Sequence, residues 1–285
     1  MKIISLDHSI CDEQRAKHLF SGDLIVYLQR PSMLALIDYT KALLQSKFGK
    51  GDVTTVQNQR EQQQFLREMG EVQSLFRRST QARALFFEVL KECGVDITTT
   101  FYDHFPLRVV PFSDQHQGAH RAAIGHHRDT WGSNINSQQN WWAPIFSLES
   151  ERTIAIYPDY WDKPLANTTA TWSFEDFLKT RNQTESERHV PYPSAPTPTA
   201  SIDESKIVKI VIEPGDVLNF ASAHLHASVP NSTLATRFSV EMRTVNQDDL
   251  ANNRKAPNVD NAATKPMYQW FKNIDNKEAL NLVAF

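Results

Sequence analysis

The side chains best suited to metal binding or proton transfer lie in one short stretch, GHHRDTWGSN, which runs from Gly125 to Asn134. It places two histidines, an arginine and an aspartate in four consecutive positions, in a chain with 10 histidines in all. In an extended segment, residues i and i+2 point to the same side, so His127 and Asp129 can reach one metal ion while Arg128 points away. An isolated His-x-Asp is more often an ordinary hydrogen-bonded pair, so a metal site needs a third ligand elsewhere.

A second histidine cluster offers two candidates for that ligand, His224 and His226, in the segment ASAHLHASVPNSTLATRFSVE. A His-x-Asp pair and a distant histidine are the sequence form of a triad that holds Fe(II) on one face and leaves three positions open. Arg237 follows His226 by eleven residues in a strand-like run. Its guanidinium suits the distal carboxylate of a 2-oxo diacid, although an arginine in such a run can also be a surface charge.

The predicted elements that would position these residues change in character near residue 95. Residues 1–95 are mostly helical in pattern, with amphipathic stretches at Pro31 to Gly49 and at Glu61 to Gly94, after a strand candidate, GDLIVYL. Residues 96–245 contain short runs rich in Val, Ile, Phe, Tyr and Thr, separated by turns. Such runs are typical of a β-sandwich or barrel, and they predict that both histidine clusters lie near strand ends.

Two further segments depart from the strand pattern. Residues 181–205 are rich in Pro, Ser and Thr, and strands resume directly after them, which favours a loop insertion in one sheet over a linker between domains. Long loops of this kind often cover a site. Residues 246–285 form a C-terminal tail in which MYQWFKNI suggests a short closing helix. We therefore expect a single domain over residues 1–285.

Composition and charge exclude several classes of partner. The net charge is -3, and the absence of a long Lys/Arg block argues against nucleic acid and anionic membranes as partners. The apolar runs are too short to span a bilayer, and the N-terminus lacks the apolar stretch of a secretory signal. Cys11 and Cys93 form no CxxC pair, which predicts reduced thiols and a cytoplasmic location. The oligomeric state is not determined by the sequence.

The combined pattern resembles the Fe(II)- and 2-oxoglutarate-dependent dioxygenases, most closely the phytanoyl-CoA dioxygenase-like branch. The resemblance rests on His127-x-Asp129, on the distant His226, on Ser228 two places later and on Arg237 eleven places later. It implies a mainly β chain with helices (α+β), in which a double-stranded β-helix (a jelly-roll, cupin-like core) has N-terminal helices packed on one face. The second half of the chain fits this pattern well, and the first half fits it loosely.

The resemblance also implies a role for individual residues. The iron ligands would be His127, Asp129 and His226, and the cosubstrate residues would be Arg237, Ser228 and Trp142. Arg237 matches the residue that binds the distal carboxylate of 2-oxoglutarate, with Ser228 as a helper. Trp142 lies near the usual place of an aromatic beside the cosubstrate, although its spacing is not identical.

Neighbouring residues leave some local choices open. The spacing to Asp129 favours His127 over His126, and the spacing to Arg237 favours His226 over His224. His224 could line the pocket, although packing in the core fits it better. The role of Ser239, in an Arg-x-Ser arrangement, stays open.

The activity implied is that of a non-haem iron oxygenase, an oxidoreductase that uses Fe(II), 2-oxoglutarate and O2. It would oxidise an unactivated C–H bond of a small metabolite, by hydroxylation or by desaturation or oxidative cyclisation, and release succinate and CO2. Amides and aromatics in NINSQQNWWAP, with Arg108, Arg121 and Arg128, favour an amino-acid-like or natural-product precursor over a fatty acyl thioester. The alternatives are a cupin-like metal-binding protein without 2-oxoglutarate chemistry and a hydrolytic zinc enzyme.

Overall fold

The computed structural model describes residues 1–112, 124–181 and 193–281 of the 285-residue chain. Its strands are β1 (Ile3–Leu6), β2 (Leu24–Tyr27), β3 (Thr100–Tyr102), β4 (Leu107–Val110), β5 (Gln138–Pro144), β6 (Ile154–Ile156), β7 (Val208–Ile210), β8 (Val217–Ala221), β9 (His226–Ser228), β10 (Arg237–Asn246) and β11 (Lys272–Asn273). Its helices are α1 (Asp12–Phe20), α2 (Pro31–Phe48), α3 (Gln62–Arg78), α4 (Thr80–Glu92), α5 (Asp129–Ser133), α6 (Phe174–Arg181) and α7 (Gln247–Ala251). Short 3-10 helices lie at Val53–Gln59, Pro158–Tyr160 and Tyr268–Trp270.

The strands form two sheets. In the larger sheet the order is β1-β2-β8-β5-β10-β3-β11, and β4 also pairs with β10. Apart from the parallel pair of β1 and β2, these pairings are antiparallel. The smaller sheet has the order β7-β6-β9 and is antiparallel. The expected mixture of helices with a large antiparallel sheet is therefore confirmed.

The N-terminal helices have sequence signals at their ends and one apolar face each. Pro31 occupies the first turn of α2, and Gly49, with a φ of 85°, follows its last residue. The predicted helical stretch from Glu61 to Gly94 is divided at Ser79, which ends α3 and caps α4 by accepting a hydrogen bond from the backbone N–H of Ala82. These helices therefore begin and end at residues with recognised capping roles. Helices α2 to α4 contribute to the same apolar core as the large sheet.

Strand β10 separates the core from the functional face by simple alternation. Phe238, Val240 and Met242 point into the core that the helices share. Arg237 and the other polar residues at alternate positions therefore point to the opposite face of the sheet. Every residue of this strand except Glu241 and Arg243 is buried, so the polar face must itself be enclosed by other parts of the chain.

Two expectations about the connecting segments are modified. The extended segment around His127 ends at Arg128, and Asp129 begins the short helix α5. The tail stretch MYQWFKNI holds a 3-10 turn and strand β11 in place of a closing helix, because Asn273 pairs with β3 and donates to the carbonyl of Thr98. Part of the predicted loop at 181–205 lies outside the described residues. Within the described ranges, no helix is long and apolar enough to cross a membrane.

Candidate metal centre

The structure brings the three predicted metal ligands together. One possible ligand atom from each of His127, Asp129 and His226 lies within 4.8 Å of the others. Nε2 of His127 is 3.9 Å from Oδ1 of Asp129, and Nε2 of His226 is 3.5 Å from Oδ2 of the same carboxylate. Two imidazoles and one carboxylate, from two distant parts of the chain, therefore face a common point.

A local backbone pairing explains how the two histidines meet. His127 and His226 form an antiparallel bridge with two backbone hydrogen bonds of 3.0 Å, and their ring centroids lie 4.2 Å apart. His226 begins β9, whose neighbour β6 holds it in the smaller sheet. The bridge makes the segment before α5 extended, so His127 and Asp129 project together as the i, i+2 spacing predicts.

Backbone carbonyls orient both imidazole rings. Nδ1 of His127 lies 2.8 Å from the carbonyl oxygen of Gly125, and Nδ1 of His226 lies 3.0 Å from that of His224. A carbonyl can only accept, so each Nδ1 donates its proton to it, and each Nε2 faces the carboxylate, where its lone pair in the neutral ring can bind a metal. Burial, helped by the nearby His127, lowers the pKa of His226 to about 4, so this ring is neutral and able to bind a metal at neutral pH.

The carboxylate of Asp129 is ionised and held at both oxygens. Oδ1 accepts a hydrogen bond of 2.9 Å from Arg243, and Oδ2 accepts one from the side-chain amide of Asn140. Burial alone would raise the pKa of Asp129, but the charge of Arg243 outweighs it and holds the pKa of this carboxyl well below its usual range. The site therefore presents a negative charge and two imidazole nitrogens as donors, a set that suits Fe(II) and several other divalent metals.

Arg237 is a buried cation on the same face of the large sheet. It donates to the backbone carbonyl of Thr153 and, at 3.1 Å, to Oγ of Ser228. Within the described ranges no carboxylate pairs with it, and its Nε and the Oγ of Ser239 are buried without a hydrogen-bond partner. Burial and the nearby Arg108 lower the pKa of Arg237 to about 9. An anionic ligand would relieve both the desolvated charge and the unused donors.

One cavity joins these groups. It has a volume of about 860 Å³, and its lining includes His127, Asp129, His226, Trp142, Ser228 and Arg237. An ion pair between Arg108 and Glu241 also faces it, and Arg77 of α3 is among its lining residues. The predicted iron ligands and the predicted cosubstrate residues therefore share one space, large enough for a small ligand.

The histidines next to the candidate ligands have other partners. His126 lies 2.8 Å from the hydroxyl of Tyr157 and 3.0 Å from Glu204, so it lines the cavity without joining the cluster. His224 is fully enclosed, its nitrogens lie 3.0 Å and 3.1 Å from two backbone carbonyls, and its ring packs 4.4 Å from Trp161. The structure thus places His224 in the core.

Arg128 differs from its expected role in meeting a carboxylate of the substrate. It is 2% exposed, does not line the cavity, and forms an ion pair with Asp260 at 3.1 Å. It also donates to the carbonyls of Ala223 and Tyr160. The extended backbone at this position explains the difference, because it directs Arg128 away from the side on which its neighbours meet. Arg121 lies outside the described residues.

Sequence reasoning missed two residues that contact Asp129. Arg243 lies six positions after Arg237 in the alternating strand β10, so the period of two already predicts that both point to one face. Asn140 is the cross-strand partner of Arg243 and lies two positions before Trp142 in β5, on the same face. The period of two along each strand could therefore have indicated that Arg243 and Asn140 face the site. The sequence does not contain the register that places them opposite each other.

The comparisons with known proteins give only distant likenesses. No family model and no curated protein matches the chain. Among solved structures, it is similar to EvdO2 from Micromonospora carbonacea var. aurantiaca complexed with 2-oxoglutarate, with 14% identity and a TM-score of 0.38 over 63% of this chain and 64% of that one. A nickel complex of the non-heme monooxygenase ThoJ shows 12% identity and a TM-score of 0.41, over 77% and 70% of the two chains.

A third similar structure is the epimerase SnoN in complex with Fe3+, alpha ketoglutarate and nogalamycin RO, with 11% identity and a TM-score of 0.39 over 82% of this chain and 85% of that one. This chain spans about two thirds of the EvdO2 chain, 64% by length. At these levels of identity and superposition, the function has to be argued from the side chains of the site.

Proposed function

We propose that this chain is an Fe(II)- and 2-oxoglutarate-dependent oxygenase that oxidises a C–H bond of a small metabolite. The observation that carries the proposal is the position of Arg237. A buried guanidinium without a carboxylate partner among the described residues shares one cavity with a cluster of two histidines and an aspartate. A metal-binding protein without 2-oxoglutarate chemistry needs the cluster, but it has no need of the buried cation.

The residues present fit both groups. His127, Asp129 and His226 would hold Fe(II), since two nitrogens and one carboxylate are the donors of an open-faced iron site. Arg237 and Ser228 would bind the distal carboxylate of 2-oxoglutarate, with the unused Nε of Arg237 as an additional donor. When bound, Fe(II) together with 2-oxoglutarate and O2 supplies an oxidant for unactivated C–H bonds, with succinate and CO2 as products.

The chain's own contribution is position and exclusion of water. Trp142 and Phe220 line the cavity and are nearly fully buried, and the Phe220 ring meets His226 edge-on at 5.2 Å. Such apolar walls keep water from a reactive centre and strengthen the electrostatic contacts inside it. The Arg108–Glu241 pair faces the remaining space and offers polar contacts to a substrate. The proposed substrate is accordingly a polar, amino-acid-like or natural-product precursor.

We extend the proposal to the architecture and the type of outcome. The two sheets would be the faces of a jelly-roll core in a single domain, as in the phytanoyl-CoA dioxygenase-like branch. Hydroxylation would be the default outcome, with desaturation or oxidative cyclisation as its variants. A cytoplasmic location fits the need for reduced iron.

The decisive experiment is anaerobic absorption spectroscopy of the metal-free protein after addition of Fe(II) and then 2-oxoglutarate. Chelation of iron by the keto acid should produce a visible metal-to-ligand charge-transfer band. Asp129→Ala should remove the band, and Arg237→Met should require far more 2-oxoglutarate to produce it. Asp176→Ala and Arg60→Met, which change the same residue types outside the cavity, should leave it intact.

The same experiment separates the alternative function. Tight Fe(II) binding without the band, in correctly folded protein, would contradict 2-oxoglutarate chemistry and point to the cupin-like metal-binding protein. If the band does appear, candidate substrates can be screened by measuring the release of succinate.

A further inference from the structure

Arg243 is placed where it connects two carboxylates. Its Nε donates to Oδ2 of Asp103 at 2.6 Å, and one terminal nitrogen donates to Oδ1 of Asp129 at 2.9 Å. The other terminal nitrogen lies 2.5 Å from Asp103, whose side chain is only 3% exposed. All three nitrogens of the guanidinium are thus used within the protein. Its three nitrogens therefore connect Asp103 to Asp129, so Arg243 can act on the orientation of the Asp129 carboxylate.

Asn140 complements Arg243 from the neighbouring strand. The two residues are direct cross-strand partners of β5 and β10, and each donates to a different oxygen of Asp129. The amide of Asn140 is itself oriented, because its Oδ1 accepts a hydrogen bond of 2.5 Å from the hydroxyl of Ser222. Ser222 in turn accepts a hydrogen bond of 2.9 Å from Gln138. The network thus fixes which end of the amide faces Asp129.

We propose that Arg243 and Asn140 are positioning residues that hold the Asp129 carboxylate in its metal-binding orientation. The inference rests on the metal site of the proposed function. Each carboxylate oxygen uses one lone pair for its donor and keeps another for a metal. A donor on each oxygen fixes both the rotation and the plane of the group, so no conformational freedom remains to be lost when a cation arrives.

The charge of Arg243 is compatible with this role because Asp103 compensates it. A lone guanidinium close to the cluster would repel a divalent cation. Asp103 contacts the same guanidinium through Nε and the other terminal nitrogen, so its negative charge offsets the positive charge of Arg243 beside the metal site. Outer partners of metal ligands usually change metal affinity by about 10- to 100-fold when they are removed.

The test is titration of the metal-free protein with Co(II), read by calorimetry and by the visible absorption of the bound ion. The variant Arg243→Met with Asp103→Asn removes the bridge without leaving the buried side chain of Asp103 as an unpaired carboxylate. We expect its Kd for Co(II) to rise by about tenfold or more, with a changed absorption spectrum because Asp129 is free to rotate. Asn140→Ala should act in the same direction.

Arg243→Lys separates positioning from charge. A lysine keeps the positive charge but lacks the planar fork that reaches both carboxylates. We expect this variant to bind Co(II) as weakly as the double variant. Wild-type affinity and spectrum in Arg243→Lys would show that charge alone matters and would overturn the proposal.

The control is the double variant Arg254→Met with Asp249→Asn. It removes an ion pair of the same type, with a buried carboxylate, from a position outside the cavity. It should bind Co(II) as the wild type does. Unchanged or tighter binding by the Arg243/Asp103 variant would refute the positioning role alone. Failure of the wild type to bind Co(II) at the cluster, with His127→Ala as the comparison, would refute the metal site of the proposed function as well.

Discussion

At the residue scale, Arg237 is a buried cation whose hydrogen-bond partners are neutral, and this combination costs free energy unless an anionic ligand is bound. It is 3% exposed, and its side chain contacts a backbone carbonyl and the hydroxyl of Ser228. A charge removed from water loses hydration free energy, which a neutral hydrogen bond restores only in part. A carboxylate ligand would restore the rest, so this residue should determine the affinity of the site for a dicarboxylate.

We predict that Arg237→Met weakens 2-oxoglutarate binding by about 100-fold, which corresponds to roughly 3 kcal/mol. Ser228→Ala should cost only about 1 kcal/mol, because it removes one neutral donor. Calorimetric titration of the Co(II)-loaded protein with 2-oxoglutarate measures both. Co(II) affinity itself should not change in either variant, and a parallel loss of metal binding would indicate damage to the whole site.

Cys93 gives a second prediction at this scale, and it concerns pH. Burial raises the pKa of the Cys93 thiol from 9.0 to about 12, against the opposing charges of Arg15 and Arg30. Cys11 is exposed. At pH 8 a thiol reagent should therefore modify one cysteine in the native protein and two in urea.

The same shift of Cys93 predicts how stability depends on pH. The unfolded thiol ionises near pH 9, whereas the folded one keeps its proton to about pH 12, so the unfolded state releases more protons. The free energy of unfolding should fall as pH rises above 9, and by less in Cys93→Ala. Urea titrations at pH 8 and pH 10 test this, and an identical pH slope in the two proteins would contradict it.

At the element scale, the short helix α5 depends on contacts outside itself. Five residues are too few for a helix to be stable alone. Arg128, directly before it, forms a buried ion pair with Asp260, and Trp131 within it donates to the same carboxylate at 2.7 Å. Asp260 belongs to the C-terminal segment, so that segment holds in place the helix on which Asp129 lies.

Arg128→Met should therefore affect both stability and metal binding. Removal of one partner leaves the carboxylate of Asp260 buried with a missing cation, which costs about 3–5 kcal/mol of unfolding free energy. Denaturation in urea measures the loss, and a Co(II) titration should show weaker binding. Lys47→Met, which breaks an exposed pair with Glu71, should cost less than about 1 kcal/mol. Equal effects of the two changes would argue against a stabilising role of the Arg128–Asp260 ion pair for α5.

At the scale of the whole molecule, the large sheet has two different faces. One face packs against α2, α3 and α4 in the main apolar core, and the other faces the cavity. Phe76 of α3 is 1% exposed in this core and lies 5.2 Å from the ring of Phe105, whereas its neighbour Leu75 is 50% exposed. The helices thus bury the apolar face of the sheet, and this packing stabilises the sheet whose opposite face lines the cavity.

This division predicts opposite outcomes for adjacent residues. Phe76→Ala should lower the unfolding free energy by about 3–5 kcal/mol, because it removes buried contacts and leaves a cavity. Leu75→Ala should change it by less than about 0.5 kcal/mol. Thermal or urea denaturation gives both values. A small effect of Phe76→Ala would mean that the helical layer is dispensable for the sheet.

The sequence by itself predicted the main strands, the long N-terminal helices and the chemical set. Short runs of apolar, aromatic and β-branched residues predicted strands where β5, β6 and β8 lie, and alternation predicted β10, because the period of side chains in a strand is two. The His-x-Asp spacing and a distant histidine predicted the cluster that the structure brings together. These inferences depend only on residue type and short-range geometry, which the order of the amino acids contains.

Contacts between distant segments were decided by the tertiary structure alone. The register of β5 against β10 places Asn140 opposite Arg243, and a shift of one residue would turn both side chains to the other face. Likewise, Arg128 finds Asp260 only because the C-terminal segment returns to α5. Sequence spacing carries no record of such pairings, because they follow from the packing of the whole chain around one core and one cavity.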